Sequence, residues 1–270
     1  MENLEKVANN MRKNILKMIH NAKSGHPGGS LSCTDILVAL YFNEMNINKE
    51  NLHDTQRDKF VLSKGHASPA LYAVLAEKGF INESDLMTFR LINSNLQGHP
   101  NMNECPGVDM STGSLGQGLS VAVGMSLANK LDKNDFRTYV VCGDGELQEG
   151  QIWEAAMAAA HFKLDNLLLV VDHNKLQIDG FNKDVMNVEP IAAKFQAFGW
   201  ETISCDGHDI EAITAAAEFA KTVKGKPTVI VAETVKGKGV SFMENQAGWH
   251  GKAPSDEELE IALKELGGND

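Results

Sequence analysis

Two stretches near the middle of the chain decide the fold, TYVVCGDG at residues 138–145 and LLLVVDHN at residues 167–174. Each begins with an apolar run that shows no polar alternation, and each ends in glycine or polar residues. Such runs predict strands that are buried on both faces, as in a parallel sheet. The Ala-rich segment 150–162 between them predicts a helix, which completes the strand–helix–strand order of a parallel crossover.

The segments on either side continue this alternation. The run SGHPGGS at residues 24–30 is predicted to separate two helices, because glycine and proline interrupt helical structure. We predict an α/β domain, doubly wound, with a mostly parallel sheet flanked by helices and with residues 1–270 forming a single domain. The further predicted helices span residues 4–22, 33–42, 69–79, 119–131 (a buried helix), 210–222 and 255–266, and the further predicted strands span residues 60–63, 201–204 and 228–232.

Composition and charge restrict the classes of function. Of the 270 residues, 43% are hydrophobic and 23% are charged, as in soluble globular proteins. The longest aliphatic run, residues 167–171, is far shorter than the roughly 18 apolar residues of a membrane span, and residues 1–6 lack the features of a secretion signal. The net charge of −11 argues against nucleic acid as a partner, but it is compatible with a phosphorylated small substrate.

The cysteines indicate a reducing compartment. The chain has four of them, and none belongs to a Cys-x-x-Cys pair. This spacing does not favour a zinc or iron–sulfur centre, and reduced thiols in the cytoplasm are the simplest interpretation. The cysteines are Cys33, Cys105, Cys142 and Cys205.

Polar residues follow both central strands. Asp144 comes directly after the first strand, and Asn174 follows the second. In an open parallel sheet, ligands bind at the carboxyl ends of the strands. Carboxylate and amide oxygens suit Mg²⁺ or Ca²⁺, and Gly143 and Gly145 let the backbone approach a bulky anion. The residue types therefore allow two interpretations, a metal–diphosphate site or two ordinary turn residues.

The common nucleotide fingerprints are absent. Residues 113–118 form a Gly-x-x-Gly-x-Gly run, which is not the dinucleotide-binding pattern Gly-x-Gly-x-x-Gly. The chain has no Walker-type Gly-Lys-Ser/Thr loop, no His-Glu-x-x-His and no Gly-x-Ser-x-Gly elbow. A diphosphate group in this protein would therefore need a different kind of site.

Four of the nine histidines lie beside glycine, namely His26, His66, His99 and His250. An imidazole in an open loop can donate to phosphate or hydroxyl oxygens and can transfer protons near pH 7. The alternative is four unrelated surface loops. The other five histidines lack this setting, and we expect them to be structural or solvated: His20, His53, His161, His173 and His208.

Several motifs together resemble one known family. The triplet Gly-Asp-Gly at 143–145, followed by 28 residues and then Asn174, resembles the metal–diphosphate motif of thiamine-diphosphate enzymes. The longer form GDGELQEG at 143–150 resembles transketolases in particular. The resemblance covers essentially the whole chain and implies the thiamine-diphosphate-binding fold, with this chain as its diphosphate-binding domain. Similar motifs are GHPGGS at 25–30, SKGHA at 63–67, GHP at 98–100, SLGQG at 114–118 and DHNKLQIDG at 172–180.

The resemblance implies a role for each matching residue. Metal ligands would be Asp144, Asn174 and the backbone carbonyl of Leu176, and they would bind Mg²⁺, for which Ca²⁺ or Mn²⁺ could substitute. Glu149 matches a carboxylate near the cofactor at the subunit interface. Ser114 stands where proline is commoner, a change that backbone contacts should tolerate. Contacts to thiamine diphosphate would come from His66, Gly113, Ser114, Leu115, Gly145, Glu149, Asn174 and His250.

The resemblance also implies the reaction and a partner. His26, His99 and His250 would face the substrate during transfer of a two-carbon ketol unit from a ketose phosphate to an aldose phosphate. Complete transketolases add pyrimidine-binding and C-terminal domains. We expect those domains on a separate, complementary chain, without which this subunit is inactive, and we expect a homodimer of heterodimers. Exposed apolar residues are then expected near the Gly113 loop and on the helix after Gly150.

Other functions remain open at this point. One is a transketolase-like enzyme for an unusual sugar phosphate. Another is a different thiamine-diphosphate enzyme, such as a deoxyxylulose-phosphate synthase or a 2-oxoacid dehydrogenase component, although the histidines beside glycine favour transketolase. A third is a non-catalytic module that binds the cofactor.

Overall fold

A five-stranded parallel sheet forms the centre of the molecule. The structure, a computed structural model, describes residues 3–267, and the order of the strands in the sheet is β1-β2-β3-β7-β6. All four neighbouring pairs are parallel, which confirms the predicted α/β fold class. The strands are β1 (Lys59–Leu62), β2 (Thr138–Gly143), β3 (Leu167–His173), β6 (Glu201–Asp206) and β7 (Thr228–Glu233), and β4 (Leu176–Gln177) pairs with β5 (Gly180–Phe181) in a separate hairpin.

Helices cover both faces of this sheet. Successive residues of β2 alternate between two apolar cores: Tyr139 and Val141 enter one, and Val140 and Cys142 enter the other. The helices are α1 (Leu4–Ala22), α2 (Pro27–Ser32), α3 (Thr34–Val38), α4 (Ser68–Glu77), α5 (Gln117–Leu131), α6 (Gly150–His161), α7 (Asn182–Val185), α8 (Ile191–Ala197), α9 (Ile210–Thr222) and α10 (Asp256–Glu265). Residues of α1–α4, α9 and α10 line the first core, and residues of α5, α6 and α8 line the second.

The predicted helix over residues 33–42 was wrong in its limits. Helical structure begins earlier, at Pro27, and continues through α2 and α3 into a π-helix at Ala39–Glu44. Residues 24–26 separate α1 from α2 as predicted, but the second helix already begins at Pro27, because proline is favourable at the first helical position. Gly28 is needed for close packing, since a Cβ there would lie 2.9 Å from the carbonyl oxygen of Trp249.

The predicted burial of helix α5 was also wrong. Leu119, Ala122 and Val123 are buried against the core, but Gly124 is exposed and Leu131 is 72% exposed. The buried residues share one side of the helix, and the rest of its surface is partly or fully exposed in the chain described over residues 3–267. The apolar residues on the other sides of α5 therefore lie on a surface that is partly or fully exposed in the single chain.

The terminal helices follow the sequence prediction closely. Helix α1 has the predicted limits, and α10 begins with the predicted capping box, in which Ser255 and Glu258 bond each other's backbone N–H groups. Across residues 3–267, none of the helices combines the length and the apolar character that a membrane crossing requires.

Candidate active site

The loops that follow β2 and β3 lie side by side at the carboxyl edge of the sheet. The two strands are paired in register, with Gly143 opposite Asp172. The backbone N–H of Asp144 donates to the carbonyl oxygen of Asp172 at 3.2 Å. The parallel pairing therefore brings the Asp144 loop and the Asn174 loop together, as the sequence predicted.

Asp144 is a buried carboxylate, only 1% exposed. One oxygen accepts the backbone N–H of Gly145 at 2.8 Å, and the other accepts that of Lys175 at 2.5 Å. Burial, and then the charge of Asp172, raises the pKa of Asp144 to about 6. A bound cation would offset both effects, so the surroundings of this carboxylate suit a metal ligand.

A buried ion pair, which the sequence analysis missed, supports this edge. Lys64 lies 2.5 Å from Asp172, and both side chains are almost fully buried. Ser32 and Thr234 also donate to Asp172. Burial raises the pKa of Asp172, but Lys64 and these hydroxyls outweigh it and hold the pKa below its ordinary value. Removing one partner of such a pair typically costs about 3–5 kcal/mol.

Asn174 and the backbone of Leu176 complete the predicted metal ligands. The Asn174 amide nitrogen donates to Asp172 at 3.2 Å, which fixes the orientation of the amide oxygen. That oxygen accepts the backbone N–H of Leu176 at 3.1 Å. The carbonyl oxygen of Leu176 accepts from Lys236, whose ammonium lies 3.3 Å away.

The oxygens of Asp144, Asn174 and Leu176 fit a magnesium ion whose coordination shell is completed by other ligands. Within residues 3–267, no cluster of three His, Cys, Asp or Glu side chains is arranged to hold a metal. The protein offers one carboxylate, one amide oxygen and one carbonyl oxygen, from Asp144, Asn174 and Leu176. Mg²⁺ commonly binds one or two carboxylates and completes its octahedron with phosphate oxygens and water. The sparse protein set therefore suits a metal that is bound together with a diphosphate.

Three of the four selected histidines form one cluster. The ring centroids of His26, His66 and His250 lie 5.2–5.4 Å from one another. Lys236 connects the cluster to the metal loop, because its ammonium lies 2.9 Å from Nδ1 of His250 and also reaches the Leu176 carbonyl. The histidines therefore share one site with Asp144, Asn174 and Leu176, which together are called the Asp144 edge below.

All four histidines are held in the neutral form. Burial, and then the charge of Arg90, lowers the pKa of His26 to about 4. Burial and Lys236 lower the pKa of His250 to about 3, and burial and Lys64 lower that of His66 well below its ordinary value. The pKa of His99 is lowered by burial and by Arg90. Each ring at pH 7 therefore offers one donor and one acceptor.

A pH-dependent loss of stability should follow from His26. Its pKa lies near 4 in the folded chain, against 6.5 when unperturbed. As pH falls from 6.5 towards 4, the unfolded chain binds a proton that the folded chain resists, so the free energy of unfolding decreases. Over this pH range, we expect the free energy of unfolding of His26→Asn to decrease by about 1–2 kcal/mol less than that of the wild type. This figure is already reduced for the partial exposure of the ring.

The measurement is urea denaturation of both proteins at pH 7 and pH 4.5. His53→Asn changes an exposed histidine and serves as the control. Parallel pH profiles for wild type and His26→Asn would contradict the burial of a neutral ring at this position.

His99 lies against the glycine loop, apart from the other three rings. Gly113 has a φ of 142°, and a Cβ there would lie 2.9 Å from the His99 ring, so only glycine fits. Glu146, another residue that the sequence analysis missed, holds this loop in place. Its carboxylate accepts from Ser63 at 2.5 Å, from the Gly116 N–H at 2.9 Å and from the Gly143 N–H at 3.1 Å.

The remaining predicted cofactor contacts are more open. Ser114, Glu149 and Leu115 are exposed, and Glu149 packs beside Gly116, where a Cβ would lie 2.7 Å away. The N–H of Gly145 already donates to Asp144. This side of the site is therefore a surface of the single chain.

Arg90 was also missed by the sequence reasoning. It has a left-handed backbone, with a φ of 61°, and its guanidinium donates to Ser24 at 2.7 Å. It also faces Gly98, and its charge lowers the pKa values of His26 and His99. Lys64, Asp172 and Glu146 lie inside the motifs SKGHA, DHNKLQIDG and GDGELQEG, which was the available signal, whereas Lys236 lies in none of the quoted motifs.

Comparison with known proteins decides the family. Residues 4–270 match the family model described as the thiamine diphosphate binding domain of transketolase. The chain belongs to the transketolase family. The motif-based prediction is thereby confirmed, and the other thiamine-diphosphate enzyme families become less favoured.

Two relatives have a similar length. The chain is 44% identical over 266 residues to one subunit of the apulose-4-phosphate transketolase of Phocaeicola vulgatus, covering 98% of this chain and 94% of that protein. It is 46% identical over 263 residues to the 6-deoxy-6-sulfo-D-fructose transketolase subunit SqwG of Clostridium sp., covering 97% and 96%. Both relatives are named as subunits.

A solved transketolase confirms the family fold. The structure from Leishmania mexicana matches with a TM-score of 0.94 at 34% identity, covering 100% of this chain and 42% of that one. The sheet and helices described above are therefore the thiamine-diphosphate-binding fold of transketolases. This chain spans about two fifths of that longer transketolase.

Proposed function

We propose that this chain is the diphosphate-binding subunit of a two-chain transketolase that uses thiamine diphosphate and Mg²⁺. The assembled enzyme transfers a two-carbon ketol unit from a ketose phosphate to an aldose phosphate. The observation that carries this proposal is the packing of His26, His66 and His250 within 5.2–5.4 Å of one another, linked by Lys236 to the Asp144 edge.

Each residue has a task that follows from its surroundings. Asp144, Asn174 and the Leu176 carbonyl would hold the metal, and His66 would contact the diphosphate. The bound cofactor supplies the electron sink for carbon–carbon cleavage. His26 has a buried Nδ1 without a hydrogen-bond partner within residues 3–267, so a substrate hydroxyl can bind there. His99 and His250, both neutral, can donate to or accept from the reacting oxygen.

The identity of the sugar phosphate belongs to this proposal. The relatives are named for two unusual sugars, apulose 4-phosphate and 6-deoxy-6-sulfofructose. A panel of donors with the assembled enzyme would test the substrate class: a common ketose phosphate, a branched ketose phosphate and a sulfonated ketose. Ketol transfer from one of them supports the proposal. Cofactor binding without transfer from any of them would instead favour a non-catalytic module.

The roles of His99 and His66 can be separated by kinetics. We expect His99→Ala to lower kcat by about 10²–10⁴ and to change the affinity for thiamine diphosphate little, because a proton-transfer group is lost. His66→Ala should mainly raise the cofactor concentration required for half-maximal rate, because its ring lies in the histidine cluster next to the Asp144 edge. Steady-state rates at limiting and saturating cofactor distinguish the two effects. His161→Ala, on the exposed end of α6, is the control, and identical behaviour of the two mutants would refute the separation.

A complementary chain is part of the proposal. The relatives of similar length are named as subunits, which supports a partner that supplies the pyrimidine-binding domain. We further propose a homodimer of heterodimers. Location in the cytoplasm is supported by the four cysteines, all free in the structure.

A further inference from the structure

A polar cavity lies at the amino ends of the strands, opposite the end that carries the catalytic residues. It has a volume of about 590 Å³ and lies where β2 begins, between the end of the π-helix and α9. Arg137 and Tyr139 line it, together with Glu44, Asp58 and Lys221. The length of β2 separates this cavity from Asp144 by roughly 20 Å.

Arg137 has an unused edge in this cavity. Its Nε and Nη2 atoms are buried and have no hydrogen-bond partner anywhere in residues 3–267. These two N–H groups lie on the same side of the guanidinium, where they can donate in parallel to two oxygens of one carboxylate or phosphate. Buried donors without an acceptor carry a desolvation cost, so an oxyanion at this edge would be stabilising.

Tyr139 presents a further donor. The residue is only 1% exposed, and its hydroxyl has no partner among the described residues. Burial raises the pKa of Tyr139, so the hydroxyl keeps its proton and remains a donor at neutral pH. Two buried donor groups, close together in the chain at the start of β2, therefore line the same cavity.

The acids of the cavity do not accept from this edge of Arg137. Asp58 accepts the backbone N–H of Arg137 at 2.7 Å and that of Asn46 at 2.8 Å. Glu44 lies 2.9 Å from the ammonium of Lys221, and its two buried oxygens accept no hydrogen bond within residues 3–267. Neither carboxylate accepts from the Nε–Nη2 edge of Arg137, so the acceptor that this edge lacks within residues 3–267 is expected to be a bound molecule.

We propose that this cavity binds a small oxyanion, a phosphate or a carboxylate, through the Nε–Nη2 edge of Arg137 and the hydroxyl of Tyr139. The site is separate from the catalytic edge and does not depend on the proposed transketolase activity. Phosphate and carboxylate share the chemistry that the guanidinium recognises, and separate titrations distinguish them.

The test is isothermal titration calorimetry of the full chain with sodium phosphate and, separately, with sodium malonate. We expect millimolar binding of at least one anion. Arg137→Gln should weaken it at least tenfold, because hydrogen bonds to a charged group are lost. Arg137→Lys, which keeps the charge but not the paired donors, should also bind more weakly. Tyr139→Phe should weaken binding by a smaller factor.

Two controls keep the result interpretable. His66→Ala alters only the catalytic edge, so the Arg137-dependent binding should persist in it. Thermal unfolding of Arg137→Gln and Arg137→Lys establishes that both variants are folded. Binding that is the same in wild type and in both Arg137 variants would overturn the proposal, as would the absence of millimolar binding by either anion.

Discussion

The isolated chain should bind thiamine diphosphate weakly and show no ketol transfer, and activity should appear only when a complementary chain is added. Glu149 and the glycine loop are open to solvent, and much of the apolar surface beside them is exposed. With the partner present, turnover should reach the ordinary range for enzymes, about 1–10³ s⁻¹. The measurement is a ketol-transfer assay on each chain alone and on the mixture.

The exposed apolar residues indicate where the proposed partner would bind. Met157 on α6 is 58% exposed, and Ile178 on the hairpin is 66% exposed. The others on this side are Leu115, Leu131, Phe162, Phe181, Val185 and Met186. Exposed apolar surface of this kind can mark an interaction site, and obligate interfaces often exceed about 2,000 Å². This face therefore matches the expectation that the Gly113 loop and the helix after Gly150 carry exposed apolar residues.

A matched pair of variants tests this location. Met157→Glu should prevent assembly and abolish activity of the mixture, because a charge would be buried in the interface. Phe219→Glu on α9, which packs on the other face of the sheet, replaces a residue of similar exposure and should assemble normally. Full turnover by the single chain would refute the two-chain proposal, and normal assembly of Met157→Glu would refute only the location.

Replacing Asp144 by Ala should abolish the effect of Mg²⁺ on thiamine diphosphate binding. Asp144 is the single carboxylate among the three proposed ligands, so its loss leaves only neutral oxygens for the ion. Loss of residues that merely orient a metal ligand typically costs 10–100-fold in affinity, and we expect at least about 100-fold here. Asn174→Ala should act in the same direction.

Calorimetry of the assembled complex, with and without Mg²⁺, provides the measurement, and circular dichroism checks the fold. Asp132→Asn changes an exposed carboxylate after α5 and serves as the control. Retention of Mg²⁺-dependent binding in Asp144→Ala would mean that the metal ligands are elsewhere.

The local patterns of the sequence predicted the strands and the ligand edge well. An apolar run such as residues 167–171 has few alternatives to a buried parallel strand, because every side chain has to leave water. The ends of β2 and β3 then place Asp144 and Asn174 together, since register between parallel strands follows from the pairing. The helix that starts at Pro27 was missed because glycine lowers helical propensity, whereas here the absence of a Cβ permits contact with Trp249.

The pairing of the buried charges and the neutral form of the histidines could be seen only in the tertiary structure. Lys64 and Asp172 are 108 positions apart, and nothing local indicates that they share one buried ion pair. The same holds for Glu146, which joins three loops, and for Lys236, which joins His250 to the Leu176 carbonyl. Sequence by itself determined the fold class and the chemical types of the site residues, because these follow from apolar periodicity and from short motifs. Tertiary structure alone decided their protonation and pairing, because burial and distance between remote segments set the electrostatic energy of each group.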